Sequence, residues 1–456
     1  MAGRPSKTKA LAIWMNGEYV GQWRFSSAGG HAFAYEQSWV DSPQGRPLSL
    51  SLPLAQATKP FTGARVEAYF DNLLPDSLVI RKRVAARFSA DSVAAFSLLE
   101  KIGRDCVGAV QLLPVDAAVP DVRRIDATPL SESDIERLLD DTVAAQIMGA
   151  SDEDALRISI AGAQEKTALL WHQGQWCRPH GATPTTHMLK LPLGEVGGQR
   201  ADFSTSVENE WLCARIVKAF GLPVAHSEIA TFGRHKVLIV TRFDRRLLDN
   251  SWWARLPQED FCQVYGVPSE QKYEENGGPG ISAILDTLRG SENAEEDRRH
   301  FLAVQLLFWM LAAPDGHAKN FSLFLEPRGL FRLTPFYDIM SAWPVIGKGA
   351  RQIQWQKIKL AMALRGNNAH YRMADIQRRH WNLAAKSNSM GSDFESVIQH
   401  LINITPAVIE TVGAQLPDGF PAQLSGAVFD GIRAQLIRLE KMGSGALSDG
   451  GAGSNV

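Results

Sequence analysis

The sequence predicts an α+β protein of two lobes, with an α/β accessory domain ahead of them and a mostly helical C-terminal lobe. Three observations carry this reading. β-type alternation recurs between Leu11 and Leu54 and again between Leu156 and Arg242, whereas the chain beyond Asp338 reads as successive helices. A small-residue turn, a strand lysine and a helix glutamate follow one another between Ala161 and Glu210. Between Leu307 and Asp338 an apolar helix ends in a polar loop, a short hairpin follows, and a second polar tip closes the segment.

That last segment holds the chemistry. Its loop, Pro314-Asp315-Gly316-His317-Ala318-Lys319-Asn320, sets an Asp five residues before an Asn, and Asp338 follows eighteen residues later, past a turn at Pro327-Arg328-Gly329. A hydroxyl nucleophile needs a carboxylate to orient it and take its proton, and ATP needs oxygen ligands for Mg²⁺. Protein-kinase-like folds supply both in this order. Asp315 is then the base, and Asn320 and Asp338 hold the metal.

Composition bounds the rest. A chain of 456 residues with 45% hydrophobic and 21% charged content is a soluble globular protein too long for one core. The net charge of −1 leaves nucleic-acid contact to a local patch or a partner. Cys106, Cys177, Cys213 and Cys262 are far apart without C-x-x-C spacing, as expected of buried thiols in a reducing compartment. The basic N-terminus is followed by no signal-peptide core, and the longest apolar run, Phe301 to Ala313, is too short to span a bilayer. These features predict a cytoplasmic protein without membrane contact.

In chain order, Asn16-Gly17 marks a hairpin within residues 11–24, and the β pattern continues at His31–Val40 and Leu48–Leu54. Val66–Phe88 is helical, broken at Pro75 with Asp76 and Ser77 able to cap a new helix. Arg81-Lys82-Arg83 reads as a solvated helix face. Ala90–Lys101 is a helix capped by Asp91 or Ser92, Cys106–Pro114 a strand, Ala117–Thr128 a linker and Ser131–Ala145 a helix. Leu156–Leu170 is two β runs around Ala161-Gly162-Ala163-Gln164-Glu165-Lys166-Thr167, whose small residues let backbone N–H groups face phosphate. This is neither G-x-x-x-x-G-K-[ST] nor G-x-G-x-x-G.

Strand His187–Pro192 carries Lys190, and the helix opening at Glu208 and Glu210 supplies its partner, so Lys190 is placed to bind ATP phosphates. Val237–Arg242 leads to the junction of the lobes, where Thr241, Arg242 and Phe243 are candidates for the adenine contact. Gln258–Gln263 starts a helix, and further helices are expected at Asn367–Lys386, Met390–Ile404, Pro406–Gln415 and from about Phe420 to Met442. The division is 1–125, accessory domain; 126–245, nucleotide-binding lobe; 246–442, helical catalytic lobe; and 443–456, a disordered tail.

With these residues in place, the chain resembles the HipA-type serine/threonine kinases, the toxin halves of bacterial HipBA toxin–antitoxin modules. The likeness runs through FDNLLPDS (70–77), GRDCVGAVQLLP (103–114), RISIAGAQEKTALL (157–170), PTTHMLKLP (184–192), RFDRR (242–246), RLPQEDFCQ (255–263), KYEENGGPGI (272–281), DGHAKNFS (315–322) and RLTPFYDI (332–339). It implies Asp315 as catalytic base, Asn320 and Asp338 as Mg²⁺ ligands, Lys190 on ATP phosphate, and 161–167 as the phosphate loop, with His317, Lys319 and Tyr337 beside the site.

It also implies autophosphorylation of Ser159, which would add about −2 charge beside that loop. The implied target is a serine of an aminoacyl-tRNA synthetase, with the glutamyl enzyme as the prime case, whose modification halts translation and favours persistence. The implied partner is a HipB-like helix-turn-helix antitoxin that brings the kinase to operator DNA. Arg378, Arg379, His380 and Lys386 are candidates for direct DNA contact. Two other readings are a catalytically weak kinase-fold co-repressor working through its antitoxin, whose mark would be loss of Lys190, Asp315, Asn320 or Asp338, and a small-molecule phosphotransferase.

Overall fold

Asn16 and Gly17 both take left-handed backbone angles (φ 50° and 86°), the geometry by which a two-residue turn joins β1 (Lys9–Met15) to β2 (Glu18–Phe25). The computed structural model describes residues 8–26, 29–144, 166–197, 200–366 and 368–443. β3 (His31–Tyr35), α1 (Gln37–Val40), β4 (Phe61–Thr62), α2 (Ala64–Asp71), α3 (Leu78–Arg87), α4 (Ala95–Ile102) and β5 (Val110–Pro114) complete the accessory domain. Its five-stranded antiparallel sheet has the order β4-β3-β2-β1-β5. Trp23 and Phe70 lie at its centre, fully buried and stacked with ring centroids 3.9 Å apart.

The next lobe contains β6 (Ala127–Pro129), α5 (Glu132–Ala144), β7 (Lys166–His172), β8 (Gln175–Pro179) and β9 (His187–Lys190). After the small β10 (Gly194–Val196) and β11 (Ala201–Phe203) pair come α6 (Ser206–Ala219), β12 (Ser227–Phe232) and β13 (His235–Thr241). One antiparallel sheet of order β12-β13-β9-β7-β8-β6 results, with Lys166 opposite Lys190 in the β7–β9 register. α6 ends where Gly221 takes φ 86°.

The chain then runs through β14 (Arg245–Leu248), β15 (Trp252–Arg255), β16 (Gln258–Asp260), α7 (Phe261–Tyr265), α8 (Ile281–Thr287) and α9 (Ala294–Met310). β17 (Ser322–Leu325) and β18 (Phe331–Leu333) form the expected hairpin, turning at Arg328 and Gly329 with φ 64° and 80°. β19 (Lys359–Arg365), β20 (Ala369–Arg372), α10 (Arg378–Ser387), α11 (Glu395–Ala414) and α12 (Ala422–Lys441) follow. Every residue from Phe301 to Met310 is buried, so α9 is the axis of the largest core, which extends from α6 to α12. No described helix is long and apolar enough to cross a membrane.

Several boundaries differ from expectation for local reasons. Gln258–Asp260 is a strand because it pairs with β17, and only then does Asp260 cap α7 in a box with Gln263. Residues 369–372 are a strand opposite β19, so the helix expected from Asn367 begins at Arg378. Helices expected on either side of Pro406 are one helix, α11, in which the Thr405 hydroxyl donates to Leu401 O at 2.6 Å beside the missing proline N–H. α4 starts at Ala95, while the Ser92 hydroxyl accepts the Ala94 N–H in the turn before it. The strand expected from Cys106 starts at Val110, residues 37–40 are helical, and 48–54 make only an isolated bridge, Ser49 to Leu52, before a short 3-10 turn that begins at Leu54. Arg81 is not solvated: its side chain is largely buried and makes a bidentate pair with Asp71. The first β run before the phosphate loop and the tail from 444 lie outside the described residues.

Candidate active site

α9 delivers the chain into the core, and Leu311–Ala313 stay buried, so the turn to Asp315 is made at the edge of a packed interior. Gly316 follows because nothing larger fits: a Cβ there would lie 2.2 Å from the Phe308 ring. A 3-10 turn, Ala318–Asn320, then leads into β17. The Asp315 side chain is 57% exposed and accepts a hydrogen bond from the Tyr273 hydroxyl. His317 is buried, lies edge-on to Tyr273, and places Nε2 3.9 Å from the Asp315 carboxylate. Burial lowers the His317 pKa, against the pull of Asp315, so its imidazole is neutral near pH 7.

Asn320 joins the two acidic tips. Its Nδ2 donates to Asp315 O at 2.8 Å and to Asp338 O at 3.4 Å. Asp338 takes a left-handed backbone angle (φ 59°), a conformation that costs a non-glycine residue on the order of 1 kcal/mol or more. Its Oδ1 accepts from Lys190 Nζ at 2.8 Å, and Lys190 also donates to Glu210 Oε1 at 2.6 Å. Burial opposes the Lys190 charge, but Asp338 and Glu210 outweigh it and raise its pKa. The Asp338 carboxyl is held far below the carboxylate range by Lys190 and Lys166, against the cost of burial. Lys166, beside Lys190 in the sheet, is lowered to about 8 by burial and by that neighbour.

Of the two helix glutamates, Glu210 is the Lys190 partner. Glu208 instead pairs with Lys236 at 2.5 Å.

The donor set suits a nucleotide carrying Mg²⁺. Among the described residues, Asp338 Oδ2 and Asn320 Oδ1 accept no hydrogen bond, which leaves one carboxylate and one amide oxygen for a hard cation. No group of three His, Cys, Asp or Glu side chains among those residues could hold a metal by itself, so phosphate oxygens would have to complete the shell. His317 Nδ1 is buried at the same place without a hydrogen-bond partner among the described residues.

The sequence profile of the HipA-like C-terminal domain matches residues 158–409, and that of the HipA N-terminal domain matches residues 11–113. The chain belongs to the HipA family. Y4mE of Sinorhizobium fredii is 30% identical over 446 residues, covering 94% of this chain and 99% of that protein. The serine/threonine-protein kinase toxin HipA of Shewanella oneidensis is 28% identical over 351 residues, covering 74% and 76%. A solved complex of Shewanella oneidensis HipA with HipB and operator DNA superposes with a TM-score of 0.76 at 23% identity, over 95% of this chain and 98% of that one, which carries the fold. This HipA-family chain is therefore a protein kinase with the two-lobed HipA architecture.

Other expected site residues sit differently in this HipA-family kinase. Arg242 is not open to adenine: its N–H donates to Thr186 O, its carbonyl accepts from Arg245, and its guanidinium is buried against Asp105 and Asp244. The Thr241 N–H is likewise committed, to His226 O. Phe243 and Tyr337 lie with ring centroids 5.6 Å apart, but the Tyr337 hydroxyl braces the loop, donating to Lys319 O at 2.9 Å and bonding to Ser322 Oγ at 2.6 Å. Lys319 is committed to an ion pair with Asp76 at 2.6 Å. Ser159 and residues 161–165 lie outside the described residues, while Lys166 and Thr167 open β7.

Sequence reasoning missed Asp76, Lys272 and Tyr273. Their strings were visible, but the partners stand 243, 196 and 42 residues apart, beyond any local pattern.

Proposed function

We propose that this HipA-family kinase is a Mg-ATP-dependent toxin that phosphorylates a protein serine or threonine. The observation that carries the reading is Asn320: one amide is bonded to the main chains of both Asp315 and Asp338, and Asp338 is in turn held by Lys190. Bound Mg-ATP would supply the transferable γ-phosphoryl group and the cation that offsets its charge. Asp338 and Asn320 would hold the metal through Oδ2 and Oδ1. Lys190, kept charged by its two carboxylates, would bind phosphate, with Lys166 and Thr167 at the end of the phosphate loop beside it. Thr241 and Phe243 would flank the base.

Asp315 would orient the acceptor hydroxyl and take its proton. Tyr273 fixes one carboxylate oxygen and leaves the other for the acceptor. His317 stays neutral and adds no competing charge.

The family supports the finer parts of the reading. The target would be an aminoacyl-tRNA synthetase, the glutamyl enzyme first, and its modification would halt translation. Ser159 would be the autophosphorylation site, its new charge displacing the phosphate loop. A HipB-like helix-turn-helix antitoxin would bind the kinase on operator DNA, as in the solved Shewanella complex. Direct DNA contact from α10 would fall to Arg379 and Lys386. Arg378 is buried on Glu395 and His380 is buried against His370, so neither reaches outward.

Mass spectrometry of the kinase and a panel of purified synthetases after incubation with Mg-ATP tests this. Phosphoserine on one synthetase and at Ser159 is expected; an unmodified panel would remove the target assignment, and an unmodified Ser159 the autophosphorylation site.

A further inference from the structure

We infer that Asp76, on the accessory domain, is a positioning residue for phosphoryl transfer: it clamps the catalytic loop from outside the two kinase lobes. This rests on the proposed kinase reading and gives the accessory domain a part in it. Asp76 follows α2 in the turn that leads to α3. Its Oδ1 accepts from Lys319 Nζ at 2.6 Å and its Oδ2 from Lys272 Nζ at 2.8 Å. The Asp76 and Lys319 side chains are only 12% and 4% exposed, so this is a desolvated bridge rather than a surface pair. Lys319 also reaches Asn72 O at 3.4 Å, and Asn72 Nδ2 donates to Val267 O at 2.9 Å, so the same accessory segment grips the catalytic lobe twice.

Each lysine adjoins a residue of the site. Lys319 precedes Asn320, which bonds to the main chains of Asp315 and Asp338. Lys272 precedes Tyr273, whose hydroxyl donates to Asp315, and Lys272 O accepts the Ala318 N–H at 3.0 Å. One carboxylate thus ties together the segment that orients the base and the segment that carries the metal ligand. Burial works against the Asp76 charge, but Lys319 and Lys272 overcome it and bring its pKa down to about 2, so the clamp is charged at any ordinary pH. Without it, two buried or half-buried ammonium groups lose their shared partner, and the loop loses its outer anchor.

The test compares the full-length protein with Asp76→Asn and Asp76→Glu. ADP release from Mg-ATP counts transfer to any acceptor, and hydrogen exchange reads the amides of His317, Ala318 and Asn320, each of which is hydrogen-bonded within this frame. Asp76→Asn should lower kcat by about tenfold to a hundredfold, as misplacement of a reacting group does. The KM for ATP should stay within about twofold, because the nucleotide ligands lie elsewhere. Exchange should rise at those three amides and not across the cores, and Asp76→Glu should recover part of kcat. An unchanged kcat with unchanged exchange would overturn the inference. So would a kcat loss that comes with lost ATP affinity and exchange raised throughout the protein, which would make Asp76 a general fold residue. Absence of ADP release from the unaltered protein would count against phosphoryl transfer itself, and the exchange comparison would still decide the role of Asp76.

Discussion

Lys190 donates to two carboxylates at once, so its loss is felt in both stability and binding. Glu210 is 8% exposed, and taking away its ammonium leaves a buried acid without its ion partner. Breaking a buried pair from one side costs about 3–5 kcal/mol. Lys190→Met should therefore lower stability by that order and weaken Mg-ATP binding. Lys190→Met combined with Glu210→Leu should restore much of the stability but none of the nucleotide affinity. Thermal unfolding with and without Mg-ATP separates the two effects. Recovery of both by the double variant would mean that Lys190 serves packing alone. At this scale the pairing of Lys190 with a helix glutamate was legible from the sequence, because a lysine inside an apolar strand needs a charged partner. The choice of Glu210 over Glu208 was not: both lie in the first turns of α6, and only the direction of each side chain decides.

Among the elements, the Asp315 loop depends on how closely it passes α9. Gly316 sits against Phe308, and a methyl group there has no room. Gly316→Ala should push the loop outward, costing about 1–3 kcal/mol of overpacking and reducing turnover through displacement of Asp315. Phe308→Leu in the same chain should return part of the activity. Full activity in the single variant would show that the loop has slack. Elements with strong local signals were readable in advance: the Asn16-Gly17 hairpin, the Arg328-Gly329 turn and the buried α9 each follow from adjacent residues. Those that tertiary pairing decides were not. β16 and β20 exist because β17 and β19 lie beside them, and four or fewer residues of sequence do not announce a partner.

For the whole molecule, the joins between the accessory domain and the rest are buried and charged. Asp105, from the accessory domain, lies among Arg242, Arg245 and Arg255 at 2.9–3.3 Å, and Asp244 accepts the Gly108 N–H at 2.7 Å. Such a docking cannot be read from local patterns, since its members come from segments more than a hundred residues apart. A second join is titratable. Glu259 is fully buried and accepts the Leu50 N–H at 2.8 Å, while its Oε2 has no partner among the described residues. Burial raises its pKa to about 8. The folded state therefore holds a proton that the unfolded chain releases above about pH 4.5. Its contribution to stability is complete below that value and is lost as pH rises through about 8. Melting temperature should fall across this window in the unaltered protein. Glu259→Gln, which keeps an acceptor for Leu50, should flatten the curve, as calorimetric scans from pH 5 to 8 would show. Parallel curves for the two proteins would contradict a buried, protonated Glu259.

In the proposed reaction, Asp315 is the base beside a nucleotide site built by Lys190, Asn320 and Asp338. Its most direct test is phosphate transfer from Mg-ATP by Asp315→Ala, measured together with Mg-ATP affinity. Transfer should fall by about 10²–10⁴, the span general bases contribute, while affinity and melting temperature stay close to those of the unaltered protein. Transfer retained at the unaltered rate would contradict it.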